Sequence, residues 1–405
     1  MKRIEEKNLG KSTLLAFMLI PLAGLATDIF LPSLPGMANY LHISQSAVQL
    51  LIILFMTSSG ISQIFTGALL DSFGRYRINI ISIFSFAVIS FLITIIPNIY
   101  LIYVLRVLQG VFVSFIIVGK RAYFADVYSG EKLKSYTSLF SVVWSVAPII
   151  APFIGGYLEH HFGWKANFYF LSVFTLLLLL FELKFSGESL PKEKRQPFDL
   201  GKIGKVYKTM LGTRDFSLGL LIIGFNYTLQ ILYSISSPFL IEEQYHFSPV
   251  VTGNCALILG IALMSGGLTS KKLIDFSLRK KLYWSVTIQL ILSIAMLIVS
   301  QYYSNIYTLV GFAFAINFLS GFIFNNVYSY CLTRFTSNAG TASGLTGGGI
   351  YIISSIMNYA IVKSVAIKTQ ITYTYLNVAL ILIIFLLIIF FQTARKRSLK
   401  LALNK

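Results

Sequence analysis

SGESLPKEKRQPFDLGKIGKVYKTMLGTRD, residues 186–215, is the one long polar stretch in a chain of 405 residues otherwise dominated by apolar runs. Windows of about 20 residues, the length that crosses a bilayer, give six candidate spans before it, near 13–32, 47–70, 78–96, 99–119, 136–158 and 166–185. Six more follow, near 216–241, 249–268, 282–300, 306–330, 341–362 and 372–392. The stretch therefore divides the chain into a first six-helix half (1–185), a linker (186–215) and a second six-helix half with a basic tail (216–405). With 56% hydrophobic and only 12% charged residues, no water-soluble core could absorb this composition. The expected fold is an all-α polytopic membrane protein of 12 transmembrane helices. From Asp199 onward the linker places Leu200, Ile203, Val206 and Tyr207 three to four residues apart with lysines between them, the pattern of an amphipathic helix on a membrane surface. Such a linker is a tether rather than a catalytic domain. Two six-helix halves joined in this way are typical of secondary transporters, whose substrates bind near the bilayer midplane where the repeats meet.

The net charge of +18 raises the question of nucleic acid, and the placement of the 33 basic residues answers it. Lys165, Lys363 and Lys368 fall in the loops of one side and Arg106 falls inside a span; all the others belong to the opposite side, with both termini and the linker. By the positive-inside rule that side is cytoplasmic, and the charge serves orientation and attraction to anionic membrane lipid, with no nucleic acid as partner. The first apolar run is too long for a cleaved signal and reads as a retained span. Cys255 and Cys331 lie in spans, where they pack rather than form disulfides. His42, His160, His161 and His246, with Glu159, Glu242 and Glu243, gather at outer loops and span ends. No metal-ligand spacing repeats among them, so they read as polar residues at the water boundary, with no metal or cofactor expected.

Two charges need a reason to be in lipid. Asp28, in ATDIFLPSLP (26–35), lies roughly 22 Å along a helix begun at Thr13, in a hydrocarbon layer about 30 Å thick, where an unpaired charge costs several kcal/mol. Arg106, in RVLQG (106–110), sits about a turn and a half inside span four and must be solvated, paired or snorkelled to the interface. Glu182 lies near the cytoplasmic end of span six.

After span two comes GALLDSFGRYR (67–77), in which Gly67 suits a close helix approach, Asp71 can accept from a helix amino terminus, Gly74 permits a tight turn, and Arg75 and Arg77 hold the cytoplasmic face. This stretch resembles the loop motif of the major facilitator superfamily. RVLQG resembles the fourth-helix motif of the same superfamily, which implies a proton-coupling role for Arg106. Span five carries APIIAPFIGG (147–156), with Pro148 and Pro152 one turn apart and Gly155 and Gly156 following. A structural kink alone would explain the prolines, but the pattern resembles the fifth-helix signature of the superfamily's antiporters, with Ala151 where many members have glycine. TDIFLPSLP resembles the first-helix motif of the Bcr/CflA drug-resistance transporters of bacteria; ESLPKEKRQPF (188–198) and NAGTASGLTGG (338–348) match that group in order. The group often has Arg-Asp before an aromatic after span four; here Ala125-Asp126 stands there with Arg121 a turn earlier, so the inner-gate partner of Asp71 is expected to have shifted.

In the second half, Asn226, Tyr227, Gln230 and Tyr233 in span seven, and Asn317 and Asn325 in span ten, are candidates for a substrate cavity; helix-to-helix glue explains such amides equally well. The resemblance implies a proton-driven exporter of small organic molecules in the bacterial inner membrane, acting as a monomer. Asp28 and Arg106 would couple to protons, and Gly67, Asp71, Gly74, Arg75, Arg77 and Arg121 would form the gating motif. Proton-coupled uptake of a siderophore or nutrient is the alternative on the same scaffold. No nucleophile with a base and no phosphate loop occupies an inner position, so an enzyme is not expected.

Overall fold

The computed structural model describes residues 4–335 and 339–403, with no β-strand among them. Lys2, Arg3, Asn338 and Lys405 lie outside the described residues, as do the side chains of Lys134, Arg397 and Lys400. The chain forms two compact units, Met1–Leu200 and Gly201–Lys405.

The first unit holds α1 (Leu9–Leu19), α2 (Leu22–Asp28), α3 (Leu34–Leu41), α4 (Gln45–Phe73), α5 (Tyr76–Ile95), α6 (Ile99–Val127), α7 (Gly130–Phe162) and α8 (Lys165–Phe185). Its first span is a 36-residue apolar run, Glu6–Leu41, built from a 3-10 turn at Glu6–Asn8, α1, α2, a second 3-10 turn at Leu31–Ser33 and α3. Proline sets these joints. Pro21 precedes α2, and Pro32 and Pro35 occupy the first positions of the segments they begin, where a missing N–H costs nothing. Elsewhere caps do the work: Ser44 accepts from Ala47 N at the start of α4, and Asn98 from Tyr100 N and Leu101 N at the start of α6.

The second unit holds the amphipathic α9 (Leu200–Gly212), then α10 (Arg214–Phe239), α11 (Pro249–Lys272), α12 (Leu278–Tyr302), α13 (Ile306–Thr333), α14 (Ala339–Ser364) and α15 (Gln370–Leu403). On α9, Met210 is buried while Lys205 and Lys208 are exposed, and burial pushes the Tyr207 phenol up to about 12. In both units the second long span packs on the fourth, the third on the sixth and the first on the fifth: α4 on α6, α5 on α8 and α2 on α7; α11 on α13, α12 on α15 and α10 on α14. The halves are repeats of one packing scheme.

Eleven segments among the described residues are long and apolar enough to cross a bilayer, and the 33-residue α7 between the fourth and the sixth completes twelve. Three of the differences in boundary from the sequence reading bear on the site. The first span runs on to Leu41, because the prolines bend it without ending it. The fourth continues to Val127, so Lys120 and Arg121 lie in the helix rather than in the loop after it; Lys120 is tolerated there because Glu182 pairs with it. The linker is split, its residues up to Leu200 clustering with the first unit.

Candidate functional site

Asp28 is the last residue of α2, 8% exposed, at the point where the first span breaks. Among the described residues nothing forms a hydrogen bond or an ion pair with its carboxylate, Arg106 included. Arg106 is fully buried in α6 and does not snorkel. Its Nε donates to the Leu51 carbonyl at 3.2 Å, both terminal nitrogens to the Ala26 carbonyl at 3.4 Å, and one of them to Gln109 Oε1 at 2.7 Å. The guanidinium is sandwiched by Phe30 and Phe55, 4.6 and 4.4 Å from the ring centroids. Backbone carbonyls and aromatic faces thus replace a counter-ion; each desolvated cation–π contact contributes on the order of 1–2 kcal/mol. Gln109 passes the network on, donating to Ser90 Oγ of α5 at 2.7 Å. The glycine of the same motif has its own task, since a Cβ on Gly110 would overlap the Phe55 carbonyl and the Ser58 hydroxyl of α4.

The fifth span closes on the other side of the break. A Cβ on Gly155 would overlap the carbonyl of Ile29, the residue after Asp28, and one on Gly24 would lie 2.9 Å from Ala147 Cβ and 3.5 Å from Pro148 Cδ. Pro148 and Pro152 stand inside a continuous helix, and Ala151, Pro152, Gly155 and Gly156 are buried. The proline–glycine stretch therefore forms the wall against which the broken span rests, which a glycine count in the sequence could suggest but not locate.

At the opposite end of the unit, Arg75 is the hub. It pairs with Asp71 one turn before it (2.9 Å) and through Nε with Asp126 of α6 (3.0 Å). Asp126 also accepts from Ser189 at 2.8 Å. Glu188 accepts from the backbone N–H groups of Arg75 (3.0 Å) and Tyr76 (3.3 Å), capping α5 from the linker, and pairs with Arg195 at 3.4 Å. Gln196 N donates to the Asp71 carbonyl at 3.2 Å. Gly74 has φ +93° at the turn, as the motif requires. Other expectations meet a different geometry. Asp71 bonds the side chain of Arg75, the residue ahead of α5, rather than the backbone N–H groups of a helix amino terminus, and a Cβ on Gly67 would meet nothing within 4 Å. Arg77 is exposed, and Arg121 forms no ion pair among the described residues; Asp126, not Arg121, joins the Asp71–Arg75 pair. The linker up to Gln196 is part of this cluster rather than a free tether.

The sequence profile of the Major Facilitator Superfamily matches residues 16–358. The chain belongs to that superfamily. It is 31% identical over 356 residues to an uncharacterised superfamily-type transporter, YdgK, of Bacillus subtilis, covering 86% of this chain and 89% of that one. It is 32% identical over 178 residues to a bicyclomycin resistance protein homolog of Haemophilus influenzae (44% and 45% covered), and 24% identical over 352 residues to multidrug resistance protein D of Escherichia coli (86% of each). This major facilitator is a multi-pass membrane transporter and not an enzyme.

The transporter holds two further buried acids. Glu182 is wholly buried and takes Lys120 Nζ at 2.6 Å, tying α8 to α6. Asp215, fully buried in the first turn of α10, accepts from Tyr330 OH (2.6 Å) and Arg334 Nε (2.9 Å) at the end of α13. The sequence placed Asp215 in the linker; its only signal was a position just ahead of an apolar run.

Of the second-half amides, Asn226 is fully buried near the middle of α10, and neither end of its amide finds a partner among the described residues. Tyr227 stacks on Tyr351 of α14, their centroids 5.7 Å apart, Tyr233 faces Tyr373 of α15 at 6.1 Å, and Gln230 is half-buried. On α13 the amides are spent on helices: Asn317 donates to its own Ala313 carbonyl at 2.9 Å, and Asn325 to Gly267 O (3.2 Å) and Ser270 Oγ (3.1 Å) of α11. None of Asn226, Gln230, Asn317 and Asn325 bonds to another of the four. Among the described residues no group of three His, Cys, Asp or Glu could hold a metal ion.

Proposed function

We propose that this transporter exports small organic molecules across the bacterial inner membrane in exchange for protons, with both termini in the cytoplasm and Asp28 as the proton carrier. The observation that carries the reading is a buried carboxylate without a partner, held at a helix break between Arg106 on one side and Gly155 on the other. A closed, dry site accepts the neutral acid at far lower cost than the carboxylate, whereas a site open to water accepts either. Proton binding and release at Asp28 are thereby linked to closing and opening. Arg106 supplies a fixed positive charge that cannot be deprotonated in exchange. Relatives named for bicyclomycin and multidrug resistance support export of drug-like molecules, and the glycine-rich face of α7 supports exchange over uptake. Asn226, Tyr227, Gln230 and Tyr233 are proposed to contact substrate. In this reading Asn317 and Asn325 contribute through the helices they brace, and Asp71, Arg75 and Asp126 hold the inner gate. The test is substrate flux in inverted membrane vesicles with an imposed pH gradient, across a panel of antibiotics and endogenous metabolites. Export that persists after the proton gradient is collapsed would overturn the coupling.

A further inference from the structure

Five residues beyond Asp28 on the same broken span, the buried Ser33 hydroxyl sits in a second polar cluster. Asn167 Nδ2 of α8 donates to Ser33 Oγ at 2.6 Å and to the Gly155 carbonyl at 3.4 Å. Ser33 also lies beside the carboxylate of Glu159, on α7 one turn past Gly155. One Glu159 oxygen lies against Gly36. The other, Oε2, is buried with no donor, and so is Asn167 Oδ1. Two buried acceptors around one hydroxyl, both lacking a donor, are what a site short of a proton looks like. Glu159 is only half-buried as a residue and is followed by the exposed His160, so water reaches this end.

In the second unit the start of the sixth span is tied by neutral groups. There Gln370, at the start of α15, donates to Ser300 Oγ (2.9 Å) and Thr308 Oγ1 (3.1 Å), accepts from Tyr245 OH, and donates its N–H to Gln244 Oε1 (3.2 Å). Amides and hydroxyls suffice to tie first, third, fourth and sixth spans at their outer ends.

We infer that Glu159 is the outer proton-collecting residue that feeds Asp28, with Ser33 as the relay between them. This inference rests on the reading of Asp28 as the carrier. Water at the outer face gives a proton to the Glu159 carboxylate; Glu159 passes it to Ser33 Oγ, and Ser33 releases its own hydroxyl proton towards Asp28. Five residues at 1.5–2.0 Å each leave roughly 8–10 Å between Ser33 and Asp28, which about two waters in hydrogen-bonded file would span. The titratable neighbours at this end are Tyr40 and His42 around α3, Tyr157, His160 and His161 on α7, and Lys165 and Tyr169 on α8. Lys165 is held over the Tyr40 and Trp164 rings, and among the described residues none of these groups forms an ion pair with Glu159.

The proton itself is the probe, so no substrate is needed. Full-length protein in nanodiscs is subjected to a pH jump from 9 to 5 while the infrared band of protonated carboxyl is followed, with the Asp28 contribution assigned by its loss in Asp28→Asn. Glu159→Gln keeps the size and polarity of the side chain beside Ser33 and cannot carry a proton. It should slow the appearance of the Asp28 band at least about tenfold while leaving its final amplitude unchanged. Glu159→Asp should restore most of the rate, and Ser33→Ala should slow it as Glu159→Gln does. A Glu159→Gln rate equal to wild type would overturn the relay alone. If wild type shows no Asp28 band, the carrier reading itself fails, and the relay with it.

Discussion

The Arg106 guanidinium reaches the Ala26 carbonyl from both terminal nitrogens at 3.4 Å and lies over the Phe30 ring at 4.6 Å, so the residues two before and two after Asp28 are held by one side chain. Arg106 is therefore placed to sense the geometry of the helix break without neutralising its acid. Lysine could keep the charge but could neither reach three carbonyl acceptors nor stack between two rings. Arg106→Lys should lower transport at least tenfold and lower thermal stability in detergent, because a buried charge loses partners. Wild-type stability and flux together would show that only charge matters at this position.

A methyl group on Gly155 has nowhere to go but into the Ile29 carbonyl, whereas one on Gly67 meets open space. Gly155→Ala should displace α7 from the broken span and uncouple or abolish export; Gly67→Ala should leave transport within about twofold of wild type. Side-by-side flux measurements on the two variants, at matched expression, check the contrast. Equal effects would remove the significance assigned to the α7 contact.

Asp71 and Asp126 share Arg75 but differ in burial, with side chains 53% and 11% exposed. Exposed ion pairs contribute little to stability. Asp71→Asn should reduce turnover with no change in melting temperature, while Asp126→Asn, which removes the charge of the buried pair with Arg75, should reduce both. Differential scanning fluorimetry alongside initial rates separates the two; a stability loss in Asp71→Asn would mean that the exposed carboxylate braces the fold.

Orientation can be read from accessibility. Single cysteines at the exposed positions Asn39, Asn98 and Asn305 should react with an impermeant maleimide in spheroplasts, and one at the exposed Glu193 should not. The native Cys255 and Cys331 are buried and give little background. Reaction at Glu193 would invert the topology.

Much of this architecture is legible in the sequence because lipid imposes a coarse rule, some 20 apolar residues per crossing, and basic residues report the inner side. The first span was harder. Its prolines announce a break, but what makes a break tolerable at Asp28 is contributed from Arg106 and Gly155, 78 and 127 positions away, and no local pattern encodes that partnership. The tight turn at Gly74 is legible in GALLDSFGRYR, yet the carboxylates that meet it, Asp126 and Glu188, come from the end of the fourth span and from the linker. Lys120 and Asp215 were assigned to polar segments because sequence shows their charge and not the Glu182 or the Arg334 that neutralises it. Buried charge is legible only once its partner is found.

In the proposed cycle Asp28 carries the proton. Asp28→Asn preserves size and some hydrogen bonding but cannot release a proton, and the break around it is held by groups that do not touch its carboxylate. In proteoliposomes with a defined pH gradient, the variant should still bind substrate and still exchange it down a concentration gradient, while uphill export falls to background. Uphill export by Asp28→Asn at the wild-type proton-to-substrate ratio would contradict the account and move the carrier elsewhere, with Glu182 the next acid to examine.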